Sequence, residues 1–196
     1  MDHAIFSKQV KLAYDFMDAL HQQALALIKD VEGQVSDRGV RCMRPGGYKF
    51  NFNSVSASLE QPKPVLTDFY SVCFIRSSST ATTTSTSFND EIPPIAFLRV
   101  TLRERNLHQP EVRYGVITKL EKPDKRKDSW PTKVEDLLST FATYAFSGDS
   151  WSKKSYKDGY VEMTYQGDSV PFADLPDSEA IAGKIVDPLL KLLNSA

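Results

Sequence analysis

The chain opens on apolar residues that recur in steps of four and three: Phe6, Val10, Ala13, Met17, Leu20, Ala24, Leu27 and Val31. Such a heptad seam, sustained for nearly four repeats, predicts one long amphipathic helix over residues 4–32, with Gly33 as its stop. At 1.5 Å per residue it would be roughly 43 Å long. Ile5, Leu12, Tyr14, Phe16, Leu25 and Ile28 widen the apolar surface beyond the seam. A broad stripe suits a helix laid across a sheet, and a strict seam suits a pair of helices. Both uses are expected here: core packing, and self-association through Val10, Met17, Leu20 and Leu27.

Downstream the period shortens to two. Gly39 to Gly47 reads as a turn-rich connector, and Tyr48-Lys49-Phe50-Asn51-Phe52-Asn53 alternates as a half-buried strand. Residues 60–66, with Pro62 and Pro64, read as an exposed loop. Residues 68–76 are apolar on both faces, which predicts a central strand covered on each side. Residues 95–102 and 112–120 are expected to form an antiparallel pair joined through 103–110. Thr132-x-x-Glu135 is a capping box, opening a helix through about Phe146 that Gly148 ends. Residues 151–157 and 160–166 read as a last hairpin turning at Asp158-Gly159. A final helix starts at Ser178 behind Asp177, with a kink or restart expected at Asp187-Pro188.

Hairpins dominate this order and βαβ alternation is absent. The expected fold is therefore α+β: an antiparallel sheet of about 5–6 strands with a long N-terminal helix, a middle helix and a C-terminal helix. It is read as one α+β domain, 1–196, carrying a mobile Ser/Thr-rich loop at about 77–90, where the composition offers little apolar area against the entropy of ordering.

Composition changes the picture at three points. A chain of 196 residues with 41% apolar residues buries enough surface to fold without disulfide or metal staples. Its two cysteines, Cys42 and Cys73, read as reduced thiols, and without CxxC or a Cys/His cluster no structural zinc is expected. The net charge of −1 argues against bulk nucleic-acid binding but leaves room for a local patch. No run approaches a membrane span and no leader-like start is visible, so a cytoplasmic protein is expected.

The candidate chemistry is mostly negative. Gly148-Asp149-Ser150 and Gly167-Asp168-Ser169 resemble nucleophile turns only in name. All three histidines, His3, His21 and His108, precede them, and both triplets read as turn or helix-end residues. Neither a paired-histidine metal motif nor a glycine-rich phosphate loop occurs, so no catalytic residue, metal or cofactor is assigned and an enzyme is not the favoured reading.

Two charge asymmetries stand out. Between Lys119 and Lys133 six basic residues face three acidic ones, a balance of +3; between Asp158 and Asp187 seven acids face one lysine, a balance of −6. Lys122, Lys125, Arg126 and Lys127 with Trp130, and Lys153 and Lys154 beside Trp151, interleave charge with rings as an anion or single-stranded nucleic-acid patch would. The leading expectation is a non-enzymatic interaction or regulatory protein that binds a protein partner or itself. The alternatives are a small-molecule sensor with Tyr48, Phe50, Phe52, Phe69 and Tyr70 lining a cleft, and a nucleic-acid-associated protein using the basic patch.

Overall fold

Burial, not local propensity, sets where the first helix ends. The computed structural model describes residues 3–43, 49–50, 69–77, 92–102, 104, 107–121, 145–157, 159 and 161–196. Helix α1 spans His3–Ser36 and runs through Gly33. That glycine is exposed, with nothing within 4 Å of where a Cβ would stand, so it costs the helix only its propensity. Val35, fully buried, holds the extra turn against the core. The stop is instead Gly39, whose φ of 77° needs a residue without Cβ.

The chain then enters an antiparallel sheet. Its strands are β1 (Val40–Cys42), β2 (Lys49–Phe50), β3 (Phe69–Arg76), β4 (Ile95–Thr101), β5 (Glu111–Glu121), β6 (Ser155–Lys157) and β7 (Glu162–Pro171). They lie in the order β1-β3-β4-β5-β7-β6, with the short β2 also paired to β3. The α+β class, the long N-terminal helix and the C-terminal helix are as expected. β1 falls where a plain connector was expected: Val40 and Cys42 are buried, and the segment pairs with Phe74 to Arg76. β4 is buried along its whole length, so it has cover on both faces.

Period-two alternation sorts the side chains into two cores. Tyr70, Val72 and Phe74 of β3, Ala96, Leu98 and Val100 of β4, and Val112, Tyr114 and Val116 of β5 share one face. Ala24, Leu25, Leu27, Ile28, Val31 and Val35 of α1 cover it, together with Ile181, Ile185, Leu189 and Leu193 near the C-terminal end. On the opposite face Ile75, Ile95, Phe97, Ile117, Met163 and Tyr165 meet Phe146 and Trp151. Phe97 stacks on Phe146 with centroids 3.7 Å apart, and Trp151 stacks on Tyr165 at 5.6 Å.

Three local expectations are corrected. Residues 151–157 are not one strand: helix α2 (Gly148–Lys153) buries Trp151, and Lys154 in the left-handed region ends it before β6. Gly167-Asp168-Ser169 is not a turn but the middle of β7, where Gly167 faces Gly115 of β5. The two backbones approach so closely that a Cβ on Gly115 would lie 2.1 Å from the Gln166 carbonyl oxygen. Helix α3 passes through Asp187-Pro188 without restarting. It comprises Ser178–Ile181, a π-helical stretch Ala182–Val186 and Asp187–Ser195. Proline has no N–H for the carbonyl a turn behind, and its ring presses on that carbonyl; the wider π turn makes room for it. Asp177 caps this helix as expected, accepting from the Ala180 N–H at 2.8 Å. The Ser/Thr-rich segment beyond Ser77, the strand beyond Phe50, the loop 60–66 and the middle helix up to Tyr144 lie outside the described residues.

Two glycine substitutions should separate propensity from packing. Gly33→Ala should raise stability by about 0.5–1 kcal/mol, whereas Gly115→Ala or Gly167→Ala should lower it by about 2 kcal/mol or more through overpacking against backbone. Urea unfolding of the three variants measures both.

Candidate functional site

Helix α1 is longer than the sheet beneath it. From Phe6 to Gln23 it contains no buried residue, and burial begins at Ala24. This free half is nevertheless rich in large apolar side chains: Phe6 is 50% exposed, Val10 37%, Leu12 59%, Tyr14 70% and Phe16 66%. Exposed apolar patches beyond a few hundred Å² are uncommon on monomeric proteins and mark contact surfaces.

The predicted self-association set divides along this line. Val10 lies on the free half and Met17 is half-buried there. Leu20 packs against the core, and Leu27 is inside it at 4% exposure, unavailable to a partner. Phe6, Leu12, Tyr14 and Phe16 were not among the predicted contact residues. Their signal was present in the sequence, because the large apolar residues that stray furthest from the seam concentrate in the first half of the helix.

His21 marks the junction of the two halves. Its Nδ1 lies 2.7 Å from the Tyr70 hydroxyl, and its Nε2 is buried with no hydrogen-bond partner among the described residues. Burial pulls the imidazole below its ordinary value, against the pull of Asp18, and pushes the Tyr70 phenol up to about 12. Desolvation disfavours the charged form of the ring.

The second polar cluster lies on the opposite face of the sheet. Ser71, Arg99, Arg113 and Ser169 occupy successive register positions across β3, β4, β5 and β7. Arg99 and Arg113 are 2% and 5% exposed. Arg113 pairs with Glu104 at 2.7 Å and with Glu111, and donates to the Phe146 carbonyl at 2.8 Å. Glu104 also accepts the Gly148 N–H at 2.7 Å, so one carboxylate joins the β4–β5 loop to the start of α2. Arg99 donates to Thr101 Oγ1 at 3.1 Å and stands 3.8 Å over the Phe69 ring; burial lowers it to about 9. The network ties elements together, with Arg113 as its hub.

The remaining candidates are dispersed. Of the basic-aromatic patch, Lys122, Lys125, Arg126, Lys127 and Trp130 lie outside the described residues. Lys153 is exposed; Lys154 sits 3.5 Å over the Trp151 ring, whose other contacts belong to the core. Phe69 and Tyr70 point to opposite faces of the sheet, as neighbours on a strand must, so they do not line one cleft. A half-open cavity of about 390 Å³ lies between α1 and the start of α3, bordered by Gln23, Leu27, Asp30, Phe172 and Ser178. Its carboxylate Asp30 is held by Ser178 Oγ at 2.6 Å and Gln34 Nε2 at 3.1 Å. Cys42 and Cys73 are free thiols, and burial raises Cys73 to about 12. Among the described residues no three His, Cys, Asp or Glu side chains converge as a metal site would require, and no helix is long and apolar enough to cross a membrane.

Set against known proteins, the chain matches no protein-family model, no curated protein and no solved structure.

Two outcomes follow from the polar clusters. Arg113→Met leaves two carboxylates facing each other in a partly buried site and should cost on the order of 3 kcal/mol in urea unfolding. His21 binds its proton less readily folded than unfolded, so stability should fall as pH drops below 6.5 and through the lower folded-state value. The His21→Phe variant should lose that acid-side slope when unfolding midpoints are compared between about pH 7 and pH 5.

Proposed function

We propose that this protein is a non-enzymatic interaction protein whose working surface is the free N-terminal half of α1, and that it self-associates through that surface. One observation carries the reading: five large apolar side chains, each 37–70% exposed, stand on a helical stretch that the sheet does not reach. Together they present roughly 500 Å² of apolar side chain, and covering such a surface is the main driving force of protein association.

The seam that Ala24, Leu27 and Val31 use to pack on the sheet continues into the free half as Phe6, Val10, Ala13 and Met17. The same physical device therefore serves folding at one end and contact at the other. We place the protein in the cytoplasm, a reading supported by its two free thiols.

Light scattering behind a sizing column, over micromolar concentrations, should give a mass above 22.0 kDa that rises with concentration. Phe16→Glu and Leu12→Glu, both at exposed positions, should return the chain to a monomer that still unfolds cooperatively, with stability lowered only by the lost association. Leu20→Glu would not be a clean test, because Leu20 also supports the chain's own core. A wild-type monomer across the whole range would refute self-association.

A further inference from the structure

We infer that the half-open cavity between α1 and the start of α3 is a binding site for a small organic cation, an amine carried on a short apolar body. The inference stands apart from the self-association reading. The α1 residues that border the cavity fall within residues 23–30, at and beyond the point where burial begins.

The walls are fixed by the chain's own bonds. Opposite α1 the wall is a 3-10 turn, Phe172–Asp174. The Phe172 N–H donates to the Pro110 carbonyl at 2.9 Å, and Lys184 Nζ donates to the Asp174 carbonyl at 3.2 Å. The turn is thereby tied to the residue before β5 and to α3. On the other side Ser178 Oγ and Gln34 Nε2 both donate to the Asp30 carboxylate, which holds it between the two helices. Ligand sites are usually preformed in this way and begin at about 300 Å³. This cavity holds about 390 Å³. At ~30 Å³ for a water in the liquid, that is room for about a dozen non-hydrogen atoms.

The lining decides which ligand fits. Leu27, Leu175 and Ile181 are buried and form an apolar floor. The half-buried Asp30 and the exposed Asp177 stand above it. Among the described residues no lysine, arginine or histidine lines the cavity, and Lys184 behind the wall is paired with Asp174. The positive end of α3 does not offset the two carboxylates, because it is already capped: Asp177 Oδ1 accepts the Ala180 N–H at 2.8 Å. A carboxylate oxygen that accepts one hydrogen bond keeps a lone pair for another. An anion would therefore meet two like charges, and a neutral apolar molecule would use the floor and ignore the rim. An ammonium group on an apolar body uses both.

The acidic bias of the sequence finds a use in the same place. Asp174 and Asp177 come from residues 158–187, where seven acids face one lysine, and Asp30 joins them from α1. Charge of one sign around a concave apolar surface concentrates ligands of the opposite sign there.

The test is an amide NMR titration of the nitrogen-labelled full chain at neutral pH. The probes are phenethylamine and its neutral and anionic counterparts, phenethyl alcohol and phenylpropionate. Phenethylamine should shift the signals of residues 26–30 and 173–178 saturably. Phenethyl alcohol should bind about five-fold more weakly, the scale of one partly exposed ion pair, and phenylpropionate should not bind. Asp177→Asn keeps a good N-cap residue and removes one charge, so it should weaken phenethylamine and leave the alcohol unchanged. Ala26→Met, at an exposed position on the rim, should fill the cavity and abolish binding of both. Equal affinity for the amine and the alcohol, or an amine affinity untouched by Asp177→Asn, would overturn the cation as the ligand class. Shifts that persist in Ala26→Met, or that fall on residues 6–16 instead, would overturn the cavity as the site. Absence of a saturable shift with every probe would sink the inference altogether. None of these results bears on the mass that tests self-association.

Discussion

The structure depends on a mismatch of lengths. A 34-residue helix is about 51 Å long, but among the described residues only the stretch from Leu20 to Val35 packs on the sheet and its core. Those buried positions anchor the helix, since tertiary packing supplies most of the stability of a helix in water. The free half is a continuation, propagated from an anchored end and spared the cost of nucleation. Propagation alone holds a helix only marginally, so a partner that covers Leu12, Tyr14 and Phe16 also consolidates the helix that displays them. Gross burial of roughly 500 Å² is worth about 12 kcal/mol at 25 cal/mol per Å², the same order as the freedom lost on association.

The two faces of the sheet solve different problems. The face beneath α1 and α3 is mainly apolar along β3, β4 and β5, and its helices pack onto it by shape. The other face carries a row of serine and arginine across four strands, and its cover is held by directed bonds. Arg113 reaches Glu104, Glu111 and the Phe146 carbonyl, while the Tyr165 hydroxyl lies 2.6 and 2.8 Å from the carbonyls of Ala145 and Ser150. Buried arginines at adjacent positions repel and are costly to desolvate. What they provide is a fixed placement for loop and α2 segments too short to hold themselves by apolar area.

Much of this was legible in the residues. The heptad seam exposed α1, because burial on one side sets its period, and a run apolar on both faces exposed β3 as a covered strand. What was misread failed for physical reasons. Trp151, Lys153 and Ser155 alternate like a strand, yet Asp149 and Ser152 sit in a short helix that exists to bury Trp151. Gly167-Asp168-Ser169 has turn composition, but the glycine is demanded by Gly115 on the next strand, a contact 52 positions away that no local pattern reveals. Val40 to Cys42 is too short to show a period at all. For the candidate site, the seam grouped Leu27 with exposed positions, whereas Leu27 lies in the core. Periodicity shows which face of a helix is apolar; it does not show how far the sheet extends underneath.

The sheet edges offer little alternative to the helix as a contact surface. An unpaired edge is the other surface through which an α+β protein readily joins a second copy. Here the outer strands β1 and β6 are three residues each. Past β6, the outer margin of β7 is blunted twice: the Asp168 carboxylate takes the Ser169 N–H at 2.8 Å, and Pro171 has none to offer. Among the described residues the backbone is thus guarded against strand addition, while α1 keeps five large apolar side chains in water. That one is suppressed and the other retained is the asymmetry expected of a molecule whose contact surface is its first helix.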